Sequence, residues 1–291
     1  MLRLMSLWIL LLPALLAAQT AGLPSLRLSS GARPAGMADL SAALRGPESA
    51  NPAALSATTT RVYAFSHNAW IEGIEQQHLH VVEQRAHSAW ALRAQVWQAD
   101  GLDYRTGPST EPLGTFGVYD LSTGLVYARH LSDNLRLGGQ LKLLRQSIST
   151  ESATGYGLDL GLLYSVGREL LAGIALLNAG SMSKLDRIAT PLPTEVRAGM
   201  TYGGLTDLLV GLDLQKARDT NLSIHLGGQY QALDLLALRL GYQTAENRGV
   251  SAGLSLFVRS WTIEYAYMPF GSGLGQAHQL SLRFNGGETV Q

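Results

Sequence analysis

The residues of this 291-residue chain best suited to chemistry are a pair of histidines and a scattered set of charges. His78 and His80 lie two apart in a stretch that reads as a strand, so both rings project to one side. Two imidazoles on one side could start a metal site, but zinc needs a third protein ligand. No carboxylate or further histidine is spaced to supply one, so a solvated rim is the favoured reading and no metal is expected. There is no Gly-x-Ser-x-Gly elbow, no phosphate-cradling loop and no His-Glu-x-x-His helix. No serine, histidine and aspartate single themselves out as a hydrolytic triad. The chain therefore reads as a non-enzyme without a cofactor.

The charges are more regular. Arg93, Arg136, Lys142, Asp159, Arg197, Asp213, His225, Arg239, Glu264 and Arg283 mostly sit between large apolar neighbours. In Leu135-Arg136-Leu137 and Leu158-Asp159-Leu160, as in Leu238-Arg239-Leu240, charge and apolar bulk must point to opposite sides of an extended chain. The same period of two runs through Tyr156, Leu158, Leu160, Leu162 and Tyr164, and through Leu208, Val210, Leu212 and Leu214. Trp261 to Tyr267 and Val250 to Leu256 repeat it.

Segments of this kind, separated by turn residues, start near residue 60 and number about fourteen. Ser132-Asp133-Asn134, Gly167-Arg168, Gly203-Gly204, Asp219-Thr220-Asn221 and Glu246-Asn247-Arg248-Gly249 read as hairpin turns. Two connections are longer, Ala99 to Pro112 and Ala179 to Pro193. Long loops of bacterial barrels face the exterior and short turns the periplasm, which places both outside.

Composition agrees with a barrel whose outer face meets lipid. Apolar residues make up 46% and charged residues 15%, against about a quarter charged in a soluble domain. No apolar run after the N-terminus is long enough for a spanning helix. The first eighteen residues, with Arg3 ahead of an apolar run and small residues at Ala17-Ala18, have the layout of a secretory signal peptide. Absence of cysteine excludes disulfides and thiolate metal sites. A formal charge of zero without a basic cluster makes nucleic acid an improbable partner.

A soluble barrel would put its large residues inside, so the aromatic positions decide. Trp90, Trp97, Tyr156, Tyr164, Tyr202, Tyr230, Tyr242, Trp261 and Tyr267 fall mostly near strand ends, as interfacial girdles do. The large face is thus assigned to lipid and the charges to the lumen. That lining is either an ordinary hydrated wall with structural ion pairs or a selective site.

Residues 19–58 lack alternation. Pro34 to Leu44 and Pro47 to Leu55 could each form a short helix, and the segment is expected to plug the barrel. Asn51 before Pro52 suits the cap of a first turn. The expected organisation is signal peptide 1–18, hatch 19–58, barrel 59–285 and tail 286–291.

Two stretches carry a family resemblance. Gly31-Ala32-Arg33-Pro34-Ala35-Gly36-Met37, followed by Asn51-Pro52-Ala53-Ala54-Leu55, resembles the N-terminal signature of the PorV/PorQ family. Tyr265-Ala266-Tyr267-Met268-Pro269-Phe270, then Leu274-Gly275-x-x-His278-x-x-Ser281-Leu282, is similar to that family's C-terminal hairpin. The sequence departs from the pattern at Ala54, at Gly46-Pro47-Glu48, and in continuing past Phe284.

The resemblance implies an all-β, FadL-like transmembrane antiparallel barrel of fourteen strands in the outer membrane. Gly31, Ala32, Arg33, Gly36, Met37, Asn51, Pro52 and Ala53 would belong to its hatch. It also implies an accessory or cargo-linking role in type IX protein secretion, with secretion proteins or secreted cargo as partners. The alternative is a FadL-like passive channel for hydrophobic small molecules. A channel of that class should show an apolar pocket beside the hatch and an opening at a kinked strand, whereas a continuous wall and polar lumen would oppose it.

Overall fold

A computed structural model describes residues 21–56, 59–108, 110–185 and 187–289. The expected signal peptide at 1–18 lies outside the described residues, as do 290 and 291 of the expected tail. Fourteen antiparallel strands close into one barrel. They are β1 Thr59–Ala69, β2 Glu75–Gln84, β3 Ser88–Tyr104, β4 Gly114–His130, β5 Leu135–Ile148, β6 Glu151–Val166 and β7 Leu170–Met182. The circuit continues with β8 Glu195–Leu205, β9 Leu208–Ala217, β10 Ser223–Leu233, β11 Leu236–Gln243, β12 Val250–Val258, β13 Trp261–Pro269 and β14 Gln276–Thr289. Each strand pairs with its chain neighbours, and β1 pairs with β14 from Ala69↔His278 to Thr59↔Thr289. No strand edge is left open, so the backbone satisfies its own hydrogen bonds as an apolar medium requires.

Alternation explains both faces. Across β5 and β6 the outward pairs are Leu137↔Leu162, Leu141↔Leu158 and Leu143↔Tyr156. The inward pairs are Gly138↔Gly161, Gln140↔Asp159 and Lys142↔Gly157. Outward aromatics gather at the two strand ends. Trp90 stacks on Tyr127 at 4.2 Å, and Trp261 on Phe284 at 4.9 Å, in one belt. Tyr119, Tyr156, Tyr242 and Tyr267 mark the other. Trp97 is an exception to the expected girdle. It pairs with the buried inward residues Gln76 and Asp120, which puts it on the lumen face.

The barrel has unequal ends. Connections 85–87, 131–134, 167–169, 206–207, 234–235 and 259–260 define a short-turn end. Connections 70–74, 105–113, 149–150, 183–194, 218–222, 244–249 and 270–275 define a long-loop end, and both long connections read from sequence lie there. Gly203-Gly204 is not a turn, because β8 runs to Leu205 and the chain reverses at 206–207. β14 likewise runs to Thr289, so strand continues where a tail from 286 was expected.

Residues 21–56 thread the lumen from the long-loop end. Gly22 N donates to Pro191 O at 3.0 Å, and Arg27 pairs with Asp219 at 2.9 Å. The segment ends near the short turns, where Leu55 packs with Val62, Val82, Ala89, Val126 and Ala128. It has less helix than expected. α1 spans only Ala32–Ala35, and Pro52–Ala54 is a 3-10 turn. Ala38 and Asp39 take left-handed φ of 56° and 61°, which ends the helix expected from Pro34 to Leu44. Two consecutive non-glycine residues in that region cost free energy that the surrounding bonds must offset.

Candidate functional site

The hatch rests where the inner wall has no side chain. Above Gly138 lie Pro52 and Ala53, and above Gly161 lie Asn51 and Ala53; a Cβ at either glycine would overlap them. Gly173 receives Ala42, while Gly227 and Gly241 receive Met37 and Ala38. These inward glycines let two backbones approach closely.

Polar wall groups then satisfy the hatch backbone. Asn51, fully buried, caps the 3-10 turn by accepting from Ala53 N at 2.9 Å. Its Nδ2 donates to Ala42 O at 2.6 Å and to Leu162 O at 3.2 Å. Ala32 N donates to Ser281 Oγ at 2.8 Å, and Ala38 N to Ser251 Oγ at 3.0 Å. Asp213 Oδ2 accepts from Ser41 N at 2.7 Å and Ala42 N at 2.8 Å. His225 Nδ1 lies 2.6 Å from the Ala38 carbonyl, so that nitrogen carries a proton. Gly31 and Gly36 flank α1, and Met37 is buried behind it.

All ten charged candidates sit on inward strand positions. Glu264 binds Arg239 at 3.3 Å and Arg283 at 3.1 Å, and Arg283 also reaches Glu48 of the hatch at 3.4 Å. Gln229 joins Arg239 to Arg33 of the hatch, each at 3.0 Å. Lys142 pairs with Asp159 at 2.8 Å, and Asp159 Oδ1 accepts from Asn178 N at 2.7 Å across a β7 bulge. Arg197 pairs with Glu195 at 3.0 Å and donates to Ser41 Oγ at 2.6 Å. Arg93 holds Pro47 O at 3.0 Å and Ser49 O at 2.8 Å. Among the described residues, Arg136 is the one of the ten whose guanidinium finds no partner. Burial among other guanidinium groups lowers the Arg33 pKa to about 10, and burial raises that of Glu48 against the pull of Arg283.

Sequence reasoning missed Asp39, Glu48 and Arg248, which lie in segments without alternation. Arg248, from the 244–249 loop, pairs with Asp39 at 3.0 Å and lies 5.0 Å from the rings of both Trp70 and Phe270. His78 and His80 are also corrected. Both are 2% exposed and face the lumen, with rings 6.1 Å apart, so they form no solvated rim. Among the described residues no three metal-ligating side chains come together.

Two spaces lined by described residues lie beside the hatch. One of ≈ 650 Å³ opens at the long-loop end, lined by Glu195, Arg197, Gln215, His225, Gln243 and Arg248 among others. A smaller one of ≈ 80 Å³ lies between the hatch and a wall containing His78, His80, Arg93 and Lys142. Both linings mix polar and apolar surface, and the closed strand circuit carries register shifts in five of its pairings, one of them the β7 bulge at Asn178. Neither of these two spaces is the predominantly apolar pocket expected of a hydrocarbon channel.

The sequence matches no protein-family profile and no curated protein. Solved structures do resemble the fold. The deltaS2S3 mutant of the monoaromatic hydrocarbon channel TodX aligns at TM-score 0.69 and 14% identity, covering 88% of this chain and 99% of that one. The Pseudomonas putida toluene transporter TodX aligns at 0.65 and 13%, covering 89% and 97%. A Pseudomonas aeruginosa FadL homologue aligns at 0.65 and 12%, covering 89% and 98%. At such identities the likeness speaks for architecture alone, and the chain is an all-β, fourteen-stranded closed barrel of the FadL-like fold.

Proposed function

We propose that this chain is a passive outer-membrane channel of the FadL-like kind, with the hatch as its barrier and small polar or amphipathic molecules as its cargo. The observation that carries this reading is the ≈ 650 Å³ vestibule at the long-loop end, floored by the hatch. Bilayer lipid contacts the apolar outer face, between belts of tyrosine and tryptophan. The long-loop end faces the exterior and the short turns face the periplasm.

The resembling structures named hydrocarbon channels support passage as the role, but not their cargo. The vestibule lining of amides, hydroxyls and paired charges suits a ligand that exchanges hydrogen bonds. Flux of small sugars and of toluene into proteoliposomes tests this. Saturable sugar entry that slows when Gln215→Trp fills the vestibule is expected. Equal leakage with and without the substitution, or entry of toluene alone, sinks it.

A second reading is a PorV/PorQ-type accessory of type IX secretion, with the barrel as a platform for secreted cargo or secretion proteins. The tightly seated hatch favours it, since a platform has no use for a pore. Its test is deletion in the host: normal secretion of sorting-domain proteins, with none co-purifying on the barrel, removes it.

A further inference from the structure

Arg136 is the one buried wall arginine among the described residues that is left unpaired. Arg197 and Arg239 each hold a glutamate. Arg136 is 4% exposed, and its Nε and Nη2 are buried without a hydrogen-bond partner. Leaving a guanidinium so placed without an acceptor is costly, because each buried N–H loses its water.

Its surroundings collect positive charge. Arg136 is the second residue of β5, at the short-turn end. Gly138, the next inward residue of that strand, carries the Pro52–Ala53 backbone, so the hatch lies one inward position from Arg136. His130 stands directly across the β4–β5 ladder, on the same inner face. On the other flank Leu163 opposes Arg136. Ser165, two residues nearer the rim on that face, accepts from Arg45 Nη2 at 3.3 Å. Arg45 is exposed, so the cluster opens toward the short-turn end. Among the described residues no carboxylate makes an ion pair with Arg45, Arg136 or His130.

The geometry points to an oxyanion site in which a phosphate group is held between Arg136 and Arg45, with His130 as a further donor. Two guanidinium groups gathered at one end of the same inner face match a dianion in charge, and their planar forks suit phosphate oxygens. A carboxylate would neutralise only one of them. The ligand arrives from the short-turn side and never crosses the hatch, so this site stands or falls independently of the vestibule. Its source is either free phosphate or the headgroup of a phospholipid.

Calorimetric titration of the full-length barrel in lipid-free micelles tests the site, with inorganic phosphate and short-chain phosphatidylglycerol as titrants. Saturable binding is expected, and the tighter titrant identifies the source. Arg136→Gln should weaken it at least about tenfold, the worth of one charge-assisted hydrogen bond. Arg136→Lys should retain more. Should Arg136→Gln fail to fold, Arg45→Gln, exposed on the hatch, carries the same expectation. Absence of saturable binding by either titrant overturns the proposal. So does binding that survives both arginine-to-glutamine changes, or acetate binding as tightly as phosphate.

Discussion

The lumen treats its two sides differently although the wall alternates in the same way all round. Where α1 and the Asn51–Ala54 turn sit, the wall offers Gly138, Gly161, Gly227 and Gly241, and hatch backbone fills the gap. Where the hatch stands away from upper β8 to β11 and the 244–249 loop, longer side chains such as Gln215 and Gln243 border an open vestibule. One region is filled by hatch backbone, while in the other Gln215, Arg197 and Arg248 still hold the hatch floor and the groups above them border ligand-sized space. The difference teaches that the seat sets stability while the vestibule is free to set selectivity.

The comparison breaks most easily at Glu264. It is 1% exposed and holds two buried arginines. Removing one partner of a buried ion pair costs about 3–5 kcal/mol. Glu264→Ala should therefore unfold at much lower denaturant in micelles, whereas Glu246→Ala, exposed at the vestibule mouth, should stay within about 0.5 kcal/mol of wild type. Equal losses at the two positions would erase the distinction.

Next comes the seat itself. Gly161→Val drives a branched side chain into Asn51 and Ala53, and overpacking of this kind costs about 1–3 kcal/mol. The wall can still close, so the hatch should lift and solute flux rise. Unchanged flux with a stable barrel would mean that the glycines do not hold the plug.

Much of this was legible in the sequence, because period-two alternation is a direct consequence of strand geometry. It placed Asp159, Arg239 and Glu264 inward before any partner was known. The partners were not legible. Glu48, Asp39 and Arg248 lie in irregular backbone, where position along the chain does not fix direction. Trp97 shows the opposite failure: its type suggested an interface, while its parity with Arg93 and Gln95 already assigned the lumen. The hatch helices were overread because Pro34 to Leu44 is rich in alanine. The elbow at Ala38 and Asp39 is imposed by tertiary bonds from Ser251, His225 and Gln215.

That elbow gives a smaller test. Arg248 ties Asp39 to the long-loop end and lies over Trp70 and Phe270. Arg248→Ala should cost about 1–2 kcal/mol, through loss of a largely buried ion pair and its cation–π contacts. Amide exchange should quicken at Ala38 and Asp39 but not at Asn51. Uniform acceleration would show that the hatch moves as one body and that its two regions are not independent.

The smallest effect concerns protons at the seat. Burial raises the Glu48 carboxyl above its ordinary value of 4.5, with Arg283 pulling against it. A raised carboxyl binds its proton more readily in the folded chain than in the unfolded one. Between the raised value and 4.5 the folded state thus carries more protons, and stability must increase as pH falls through that window. Above the window the ionised group bears its full burial cost. Wild type should accordingly gain on Glu48→Gln when both are acidified, read as the difference in their unfolding midpoints at each pH. If wild type instead loses ground on acidification, the attraction of Arg283 outweighs burial, and the seat is held by a true ion pair rather than by packing around a reluctant charge.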